Sequence, residues 1–447
     1  MSYFAGIRRN MMTMNSTSSP LSWLCLFGLA CVLSVRADIQ YAGVNLSGAE
    51  FGQASLPGVY NSDYTYPTVN EVNYFQGRGM NIIRLPFRWE RLQRTNNLAL
   101  DATELGRLNT FVAYATGKGM SVILDPHNFA RYYPNPRSDF QGATTGLLGT
   151  TVPYADFANF WGQVASIYKT NNLVIFNLMN EPANMLTENW LAAANAAIAA
   201  IRSAGATNLI LVPGNGYTGA WTWLDNWYGT PNGTVMSNII DPGNNFAYDA
   251  HQYLDSDGSG TTTNIVNAGI GMQRLVNFTA WLRLNHQKGF LGEFAVDNSM
   301  IGGGSSQIGD EALTNMLAHM QTNSDVWLGW TWWGGGPWWG ASSYFHIDPA
   351  SFSTPVDQPV MTVIKSFFPV PVPLLVSTNS NQFQFNAQPG FVYQPQTSPD
   401  LTGGSWTSYG TAVTGSGITG IGQRVTITMP VGSGNQGYYR VRVTHVP

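Results

Sequence analysis

Two glutamates in this sequence stand where an apolar run stops. Glu181 closes Phe176–Pro182 (FNLMNEP), and Glu293 sits in Gly289–Phe294 (GFLGEF). Runs of this kind read as strands buried on both faces, and Pro182 halts the first directly after its glutamate. A lone glutamate after a strand is most often a solvated loop residue or the negative charge at a helix N-terminus. Here the pair has polar company in the same kind of place. Arg84 lies inside Ile82–Pro86, and His127 and Asn128 follow Val122–Asp125. Asn180 precedes Glu181, His251 and Tyr253 follow Phe246–Ala250, and Trp330, Trp332 and Trp333 end the run from Trp327. Two carboxylates facing one ligand can act as acid and base on a bond that needs both a proton and a nucleophile, and glycosidic bond hydrolysis has that need. One must be protonated and the other ionised. Their repulsion raises one pKa, and a nearby arginine favours ionisation of the carboxylate it touches.

Rival chemistries lack their signatures. His127 and His251 are of metal-ligand type, but no HxxxH or HExxH accompanies them, so no metal is expected. A Ser-His-Asp hydrolase wants a G-x-S-x-G elbow, and none is present. No GxGxxG follows the first apolar run and no P-loop occurs, so nothing supports a nucleotide site. Charged residues are only 10% of the chain, aromatics 13%, and the formal charge is −4. That composition excludes a nucleic-acid footprint and suits a neutral polar ligand with apolar faces, such as a sugar ring.

The elements that must hold these residues read as eight strands alternating with helices. The apolar β-runs are 41–46, 82–86, 122–125, 173–179, 209–212, 246–250, 290–292 and 327–332. Helical patterns fall at 69–76, 102–115, 154–168, 188–201, 270–284 and 310–320. This is the α/β pattern of a (β/α)8 TIM barrel, with an open doubly wound sheet as the alternative. Such barrels build their site at the C-terminal strand ends. Spread over residues 38–366, the units average about 41 residues. The 112 residues between Glu181 and Glu293 then place them three strands apart, across the barrel mouth.

Residues 1–37 read as a signal peptide: Arg8 and Arg9, an apolar run Leu21–Leu33, and the small-x-small sequence Val35-Arg36-Ala37. The apolar run is shorter than the roughly 20 residues that span a bilayer, so secretion and no membrane contact after cleavage are expected. Cleavage removes three arginines and both cysteines, leaving 18 basic against 25 acidic residues, a net charge of −7. At the other end, Phe367–Pro373 (FFPVPVP) alternates proline with apolar residues and reads as a stiff linker, with few contacts expected between barrel and tail. Residues 374–447 carry short alternating runs in Gly, Ser, Thr and Asn, a small antiparallel β-module. Trp406, Tyr409 and Tyr438 there are candidates for binding a glucan surface, against a structural or attachment role.

Taken together, Asn81–Arg88 (NIIRLPFR), Val122–Tyr132 (VILDPHNFARY), FNLMNEP, Asp249–Tyr253 (DAHQY), GFLGEF and Gly329–Gly340 (GWTWWGGGPWWG) resemble the glycoside hydrolase family 5 cellulases. Within that family they are most similar to the endoglucanase subfamily shared by fungi and bacteria. The stretches are collinear over residues 40–345, and nothing in them departs from the pattern. The resemblance implies a retaining endo-β-1,4-glucanase with Glu181 as acid/base and Glu293 as nucleophile. It implies Arg84, His127, Asn180, His251 and Tyr253 around them, a β-1,4-glucan substrate and no cofactor. It puts a sugar-stacking platform on the Trp332-Trp333 pair, with Trp333 favoured. Trp221, Trp223 and Trp227 in Gly219–Tyr228 and Trp338 near the end are further stacking candidates, and a monomer is expected. Relatives acting on mannan, xyloglucan or mixed-linkage glucan are the near rivals. A non-catalytic sugar-binding barrel would normally lack one of the two glutamates.

Overall fold

The computed structural model of the chain describes residues 39–133, 146–302, 307–340, 343–371, 373, 375–379, 382–398, 406–428 and 438–446. The signal-peptide segment and parts of the linker and of the C-terminal module lie outside them. Eight parallel strands close into a barrel in sequence order: β1 (Tyr41–Leu46), β2 (Ile82–Phe87), β3 (Ser121–Pro126), β4 (Val174–Asn177), β5 (Ile210–Pro213), β6 (Phe246–His251), β7 (Gly289–Glu293) and β8 (Trp327–Gly335). The expected (β/α)8 architecture is present. Helices Val69–Gly77, Ala102–Gly117, Tyr154–Tyr168, Thr187–Ser203, Ile270–Leu284 and Gln307–Thr322 cover the outside. Their starts are encoded locally. Thr68 and Glu71 form a capping box, and Asp101 accepts a hydrogen bond from the backbone N–H of Glu104. After β5 there is only a short helix, Asn232–Val235, preceded by an irregular loop rich in tryptophan.

The barrel interior is built in layers. Ile82, Ile123, Ile175, Leu211, Ala247 and Phe290 form a hydrophobic cluster of their own, one from each of six adjacent strands. The larger cluster holds Ile83, Leu85, Val122, Leu124, Phe176 and Val212, which pack the outer strand faces with the helices. Side chains alternate along a strand, so the residue two positions further on shares the inner face. On β2, β3, β4 and β6 that residue is Arg84, Asp125, Asn177 and Asp249, all fully buried. On β7 it is Gly292. An apolar floor therefore carries a polar layer directly beneath the C-terminal mouth.

The C-terminal strands form two antiparallel sheets. One is β9 (Val376–Asn379), β10 (Gln382–Ala387) and β14 (Gln423–Thr428). The other is built on β11 (Phe391–Ser398), which pairs with β12 (Thr407–Ser408), β13 (Val413–Thr414) and β15 (Tyr438–His445). Phe383, Phe385, Phe391, Tyr393, Val425 and Val441 form their own small core.

The few contacts expected between barrel and tail are not what the structure has. Phe367 and Phe368 belong to the barrel core, and the Phe368 ring lies between Trp330 and His445. The backbone N–H of Thr419 donates to Lys118 O at 2.8 Å, and Gln76 Nε2 donates to Gly417 O at 3.3 Å. Gly390 approaches so closely that a Cβ on it would lie 2.3 Å from Gly79 Cα. Gly79 and Lys118 lie just ahead of β2 and β3, so the module is seated on the N-terminal end of the barrel, away from the mouth. A proline-rich stretch signals stiffness, not separation; what it leads to decides the contacts. Truncation after Phe368 should therefore lower the melting temperature, by about 2–3 °C for a loss of roughly 2 kcal/mol in a chain of this size. A scan by calorimetry checks this; an unchanged melting temperature would show that the seat contributes nothing.

Candidate active site

The polar layer converges on Arg84. Its Nη1 donates to Glu293 Oε1 at 2.7 Å and to Asn45 Oδ1 at 2.8 Å. Its Nη2 donates to Asn180 Oδ1 at 2.7 Å and pairs with Asp125 Oδ2 at 3.1 Å. Asp125 also faces His127 Nδ1 at 3.0 Å and accepts from Asn177 Nδ2 at 2.8 Å. A guanidinium is weakly hydrated and offers a rigid fork of donors, which suits it to a buried multi-partner position.

Glu293 ends β7, and both its oxygens are held. Oε2 accepts from the Tyr253 hydroxyl at 2.8 Å and lies 3.6 Å from His251 Nδ1. Burial pushes the Glu293 carboxyl up, but the charges of His251 and Arg84 and the Tyr253 bond outweigh it, so the group sits below the ordinary carboxylate value. The backbone ahead of it is fixed as well. Gly292 O accepts from Asn45 Nδ2 at 2.9 Å and from Thr331 Oγ1 at 2.7 Å.

Glu181 lies just beyond β4 with φ of 42°, the left-handed region. For a residue with a Cβ this costs about 1–3 kcal/mol and persists only when neighbours impose it. Here they do. The N–H of Asn180 donates to Pro126 O at 2.9 Å, Phe129 donates to Asn180 O at 3.0 Å, and Tyr217 donates to Pro182 O at 3.1 Å. The Asn-Glu-Pro segment is thus clamped by the loops after β3 and β5. The twist delivers Glu181 Oε1 to His251 Nδ1 at 2.7 Å. One oxygen of Glu181, one of Glu293 and a ring nitrogen of His251 all lie within 4.8 Å of one another. Those three side chains are of metal-ligand type. Burial works against a charge on His251, but Glu293, Asp249 and Glu181 together push its pKa up to about 10. The raised pKa favours the protonated ring, in which Nδ1 donates to Glu181 Oε1.

The structure brings Arg84, His127, Asn180, His251 and Tyr253 around the two glutamates. Asn180 Nδ2 is buried with no protein partner. Trp333 stacks on the His127 ring at 5.6 Å and 14°. Two stacking candidates fall away. Trp332 is fully buried and donates from Nε1 to Phe345 O, because adjacent residues of a strand face opposite sides. Trp223 is also fully buried, packed on Tyr248, Phe278 and Trp281. Trp221, Trp227 and Trp338 are exposed by 37%, 59% and 39%, and Trp227 lies parallel to Tyr217. Trp339 packs its edge on Trp333 at 5.8 Å. The sequence reading passed over Asn45, Asp125, Asn177 and Asp249. Their signal was present: each is a polar residue at or near the C-terminal end of a largely apolar strand.

The family model described as cellulase (glycosyl hydrolase family 5) matches residues 42–336. Endoglucanase 3 of Humicola insolens is 39% identical over 300 residues, 67% of this chain and 70% of that protein. Endo-beta-1,4-glucanase B of Aspergillus niger is also 39% identical, over 67% of this chain and 82% of its own length. Among solved structures, an endo-beta-1,4-glucanase from Xanthomonas axonopodis pv. citri superposes with a TM-score of 0.67 at 43% identity, covering 74% of this chain and 98% of that one. A structure of XacCel5A in complex with cellopentaose matches equally well, with a TM-score of 0.67 at 43% identity over 74% of this chain and 99% of that one.

Proposed function

The chain belongs to glycosyl hydrolase family 5, the cellulases, and from that premise we propose that it is a secreted endo-β-1,4-glucanase that cleaves with retention of configuration. The observation that carries the mechanism is the approach of the two glutamates. Oxygens within 4.8 Å suit the roughly 5–5.5 Å carboxyl separation of retaining enzymes and leave no room for the water that inverting enzymes place between carboxyls roughly 6.5–9.5 Å apart.

In the first step Glu293 attacks the anomeric carbon. The glycosidic C–O bond breaks as Glu181 passes its proton to the leaving oxygen, and a glycosyl ester forms on Glu293. Ester formation removes the charge on Glu293, which favours ionisation of Glu181. Glu181 then takes a proton from water, the water oxygen bonds to the anomeric carbon, and the ester bond breaks. The depressed pKa of Glu293 keeps it ionised and ready to attack, and Arg84 and His251 are the charges responsible. Asn180 Nδ2 is free to donate to the sugar 2-hydroxyl, a bond that strengthens as positive charge develops on the ring. Trp333 supplies a stacking face beside His127, and the exposed Trp221, Trp227 and Trp338 are candidates for further faces. Several stacking faces along a cleft favour internal cuts in a polymer.

Secretion rests on the signal-like sequence of residues 1–37. Among the described residues no helix is long and apolar enough to cross a membrane. The linker at 367–373 and the module from 374 are proposed as one appended unit with a bracing role, because its contacts lie at the barrel base. Reducing-end release from carboxymethylcellulose, galactomannan and xylan tests the substrate. Release at least about tenfold faster from carboxymethylcellulose is expected, since a tenfold ratio reflects only about 1.4 kcal/mol of differential transition-state binding. Faster release from galactomannan or xylan would reassign the glucan.

A further inference from the structure

Asp249 has so far entered only as one of the charges around His251, yet it lies in the polar layer directly behind the two glutamates. It is fully buried on β6, and neither carboxylate oxygen has a hydrogen-bond partner of good geometry. Its ion-pair partner is His251 Nε2 at 3.5 Å, and that nitrogen has no other partner. The far side of the same ring donates to Glu181. Asp249, His251 and Glu181 thus form a line from the barrel interior to the mouth. Space for this line is reserved by a residue from another strand. A Cβ on Gly292 would lie 2.4 Å from Asp249 Oδ1 and 2.8 Å from Oδ2. Gly292 has no left-handed backbone to explain its glycine, so the carboxylate of Asp249 is the reason for it.

We propose that Asp249 is a positioning residue for the acid/base step: it holds the His251 ring from Nε2 so that Nδ1–H always points at Glu181, and Gly292 exists to make room for it. The inference rests on the proposed roles of Glu181 and Glu293.

The chemistry requires such a holder. If His251 Nδ1 were an acceptor, the acid proton of Glu181 would be drawn to the imidazole and away from the glycosidic oxygen. With Nδ1–H fixed as a donor, Oε1 of Glu181 is occupied as an acceptor and the acid proton belongs on the other oxygen, toward the cleft. After the proton has left, the same Nδ1–H stabilises the carboxylate that remains. A buried carboxylate on the opposite ring nitrogen is the usual means of fixing a histidine in one protonation and orientation. The other charged groups around this line are Glu293 on β7, Arg84 on β2, Asp125 on β3 beside His127, and Glu181 beyond β4, with the neutral Tyr253 hydroxyl on Glu293. Arg84 answers Asp125 and Glu293 directly, which leaves His251 as the cation against Asp249.

The test compares two substrates in the full-length protein. Cellotetraose needs a proton on its leaving oxygen, and 2,4-dinitrophenyl β-cellobioside does not. Asp249→Asn should lose roughly 30-fold or more in kcat/KM on cellotetraose but less than about threefold on the aryl substrate, the asymmetry of impaired general-acid catalysis, which is worth 10²–10⁴-fold in all. Gly292→Ala, which pushes the carboxylate off the ring, should show the same asymmetry and serves if Asp249→Asn does not fold. The His251 ring, followed by nitrogen NMR, should deprotonate at lower pH in either variant than in the wild type. Equal losses on both substrates, no loss on cellotetraose, or an unchanged His251 titration overturns the proposal. Wild-type protein inactive on both substrates would instead sink the glucanase reading itself.

Discussion

Glu293→Ala should abolish hydrolysis of soluble cellulose, by on the order of 10⁵-fold or more, the scale lost when a covalent nucleophile is removed. The variant is most informative beside Glu181→Ala. The position-181 variant keeps the nucleophile, so an activated aryl cellobioside should still form the ester on Glu293. The ester should accumulate, because no base activates water. Azide fits the space left by the carboxylate and attacks the ester, giving a glycosyl azide of β-configuration after two inversions. The position-293 variant forms no ester and shows no burst, and azide displaces the aryl group once to give the α-azide. NMR of the products reads the configuration. A β-azide from the position-293 variant with an α-azide from the position-181 variant would reverse the two roles. The left-handed backbone at residue 181 is no obstacle, since alanine and glutamate bear a similar cost there.

Arg84→Ala is expected to be the next most damaging change. It removes the hydrogen-bond partner of Glu293 Oε1 and the ion-pair partner of Asp125 in a fully buried setting. Taking the shared cation away from two buried carboxylates should cost about 3–5 kcal/mol of stability. kcat should fall about 10²–10³-fold, comparable to removing one preorganised charge-stabilising donor, with little change in KM. The pH profile gives a second readout. A carboxyl with a depressed pKa contributes stability and ionised nucleophile above its unfolded value, and both are lost as pH falls through the folded value. In the wild type the acid limb of kcat/KM should therefore lie below about pH 4.5, the reference carboxylate value. Without Arg84 the Glu293 pKa rises, and the acid limb moves up. A variant with normal kcat, raised KM and an unmoved acid limb would assign Arg84 to substrate binding.

The barrel could be read from the chain because its strands are covered on both faces and so appear as near-continuous apolar runs. β1 spans Tyr41–Leu46 both as read and as folded, and the helices at 154–168 and 270–284 also coincide. Strand ends were less legible. β4 is only Val174–Asn177, one residue short at Leu173 and two short at Leu178 and Met179, because the chain leaves the sheet to enter the Asn-Glu-Pro twist. β8 runs on to Gly335, where glycines let it bend toward the loop that carries Trp338. The Trp332-Trp333 doublet was ambiguous in sequence: alternation puts the two rings on opposite sides of the strand, and it is the full burial of Trp332 that removes it from the surface. The polar layer of Asn45, Asp125, Asn177 and Asp249 was missed for a different reason. Like Arg84 they lie at or near strand ends and face inward, but no glutamate or turn residue beside them sets them off from the apolar run. The loop after β5 hid the burial of Trp223, since irregular backbone has no period from which to tell its inner side.

The seat of the C-terminal module also sets the direction in which the molecule meets a solid. Gly79 and Lys118 mark the base of the barrel, and Glu181 and Glu293 mark the opposite rim. A grip placed at the base turns the cutting rim outward, as a handle does for a blade. Were the module to adhere to a crystalline fibre, it would point the cleft away from that fibre and toward loose chains in the surrounding liquid. Anything it holds is therefore held at arm's length from what the enzyme cuts.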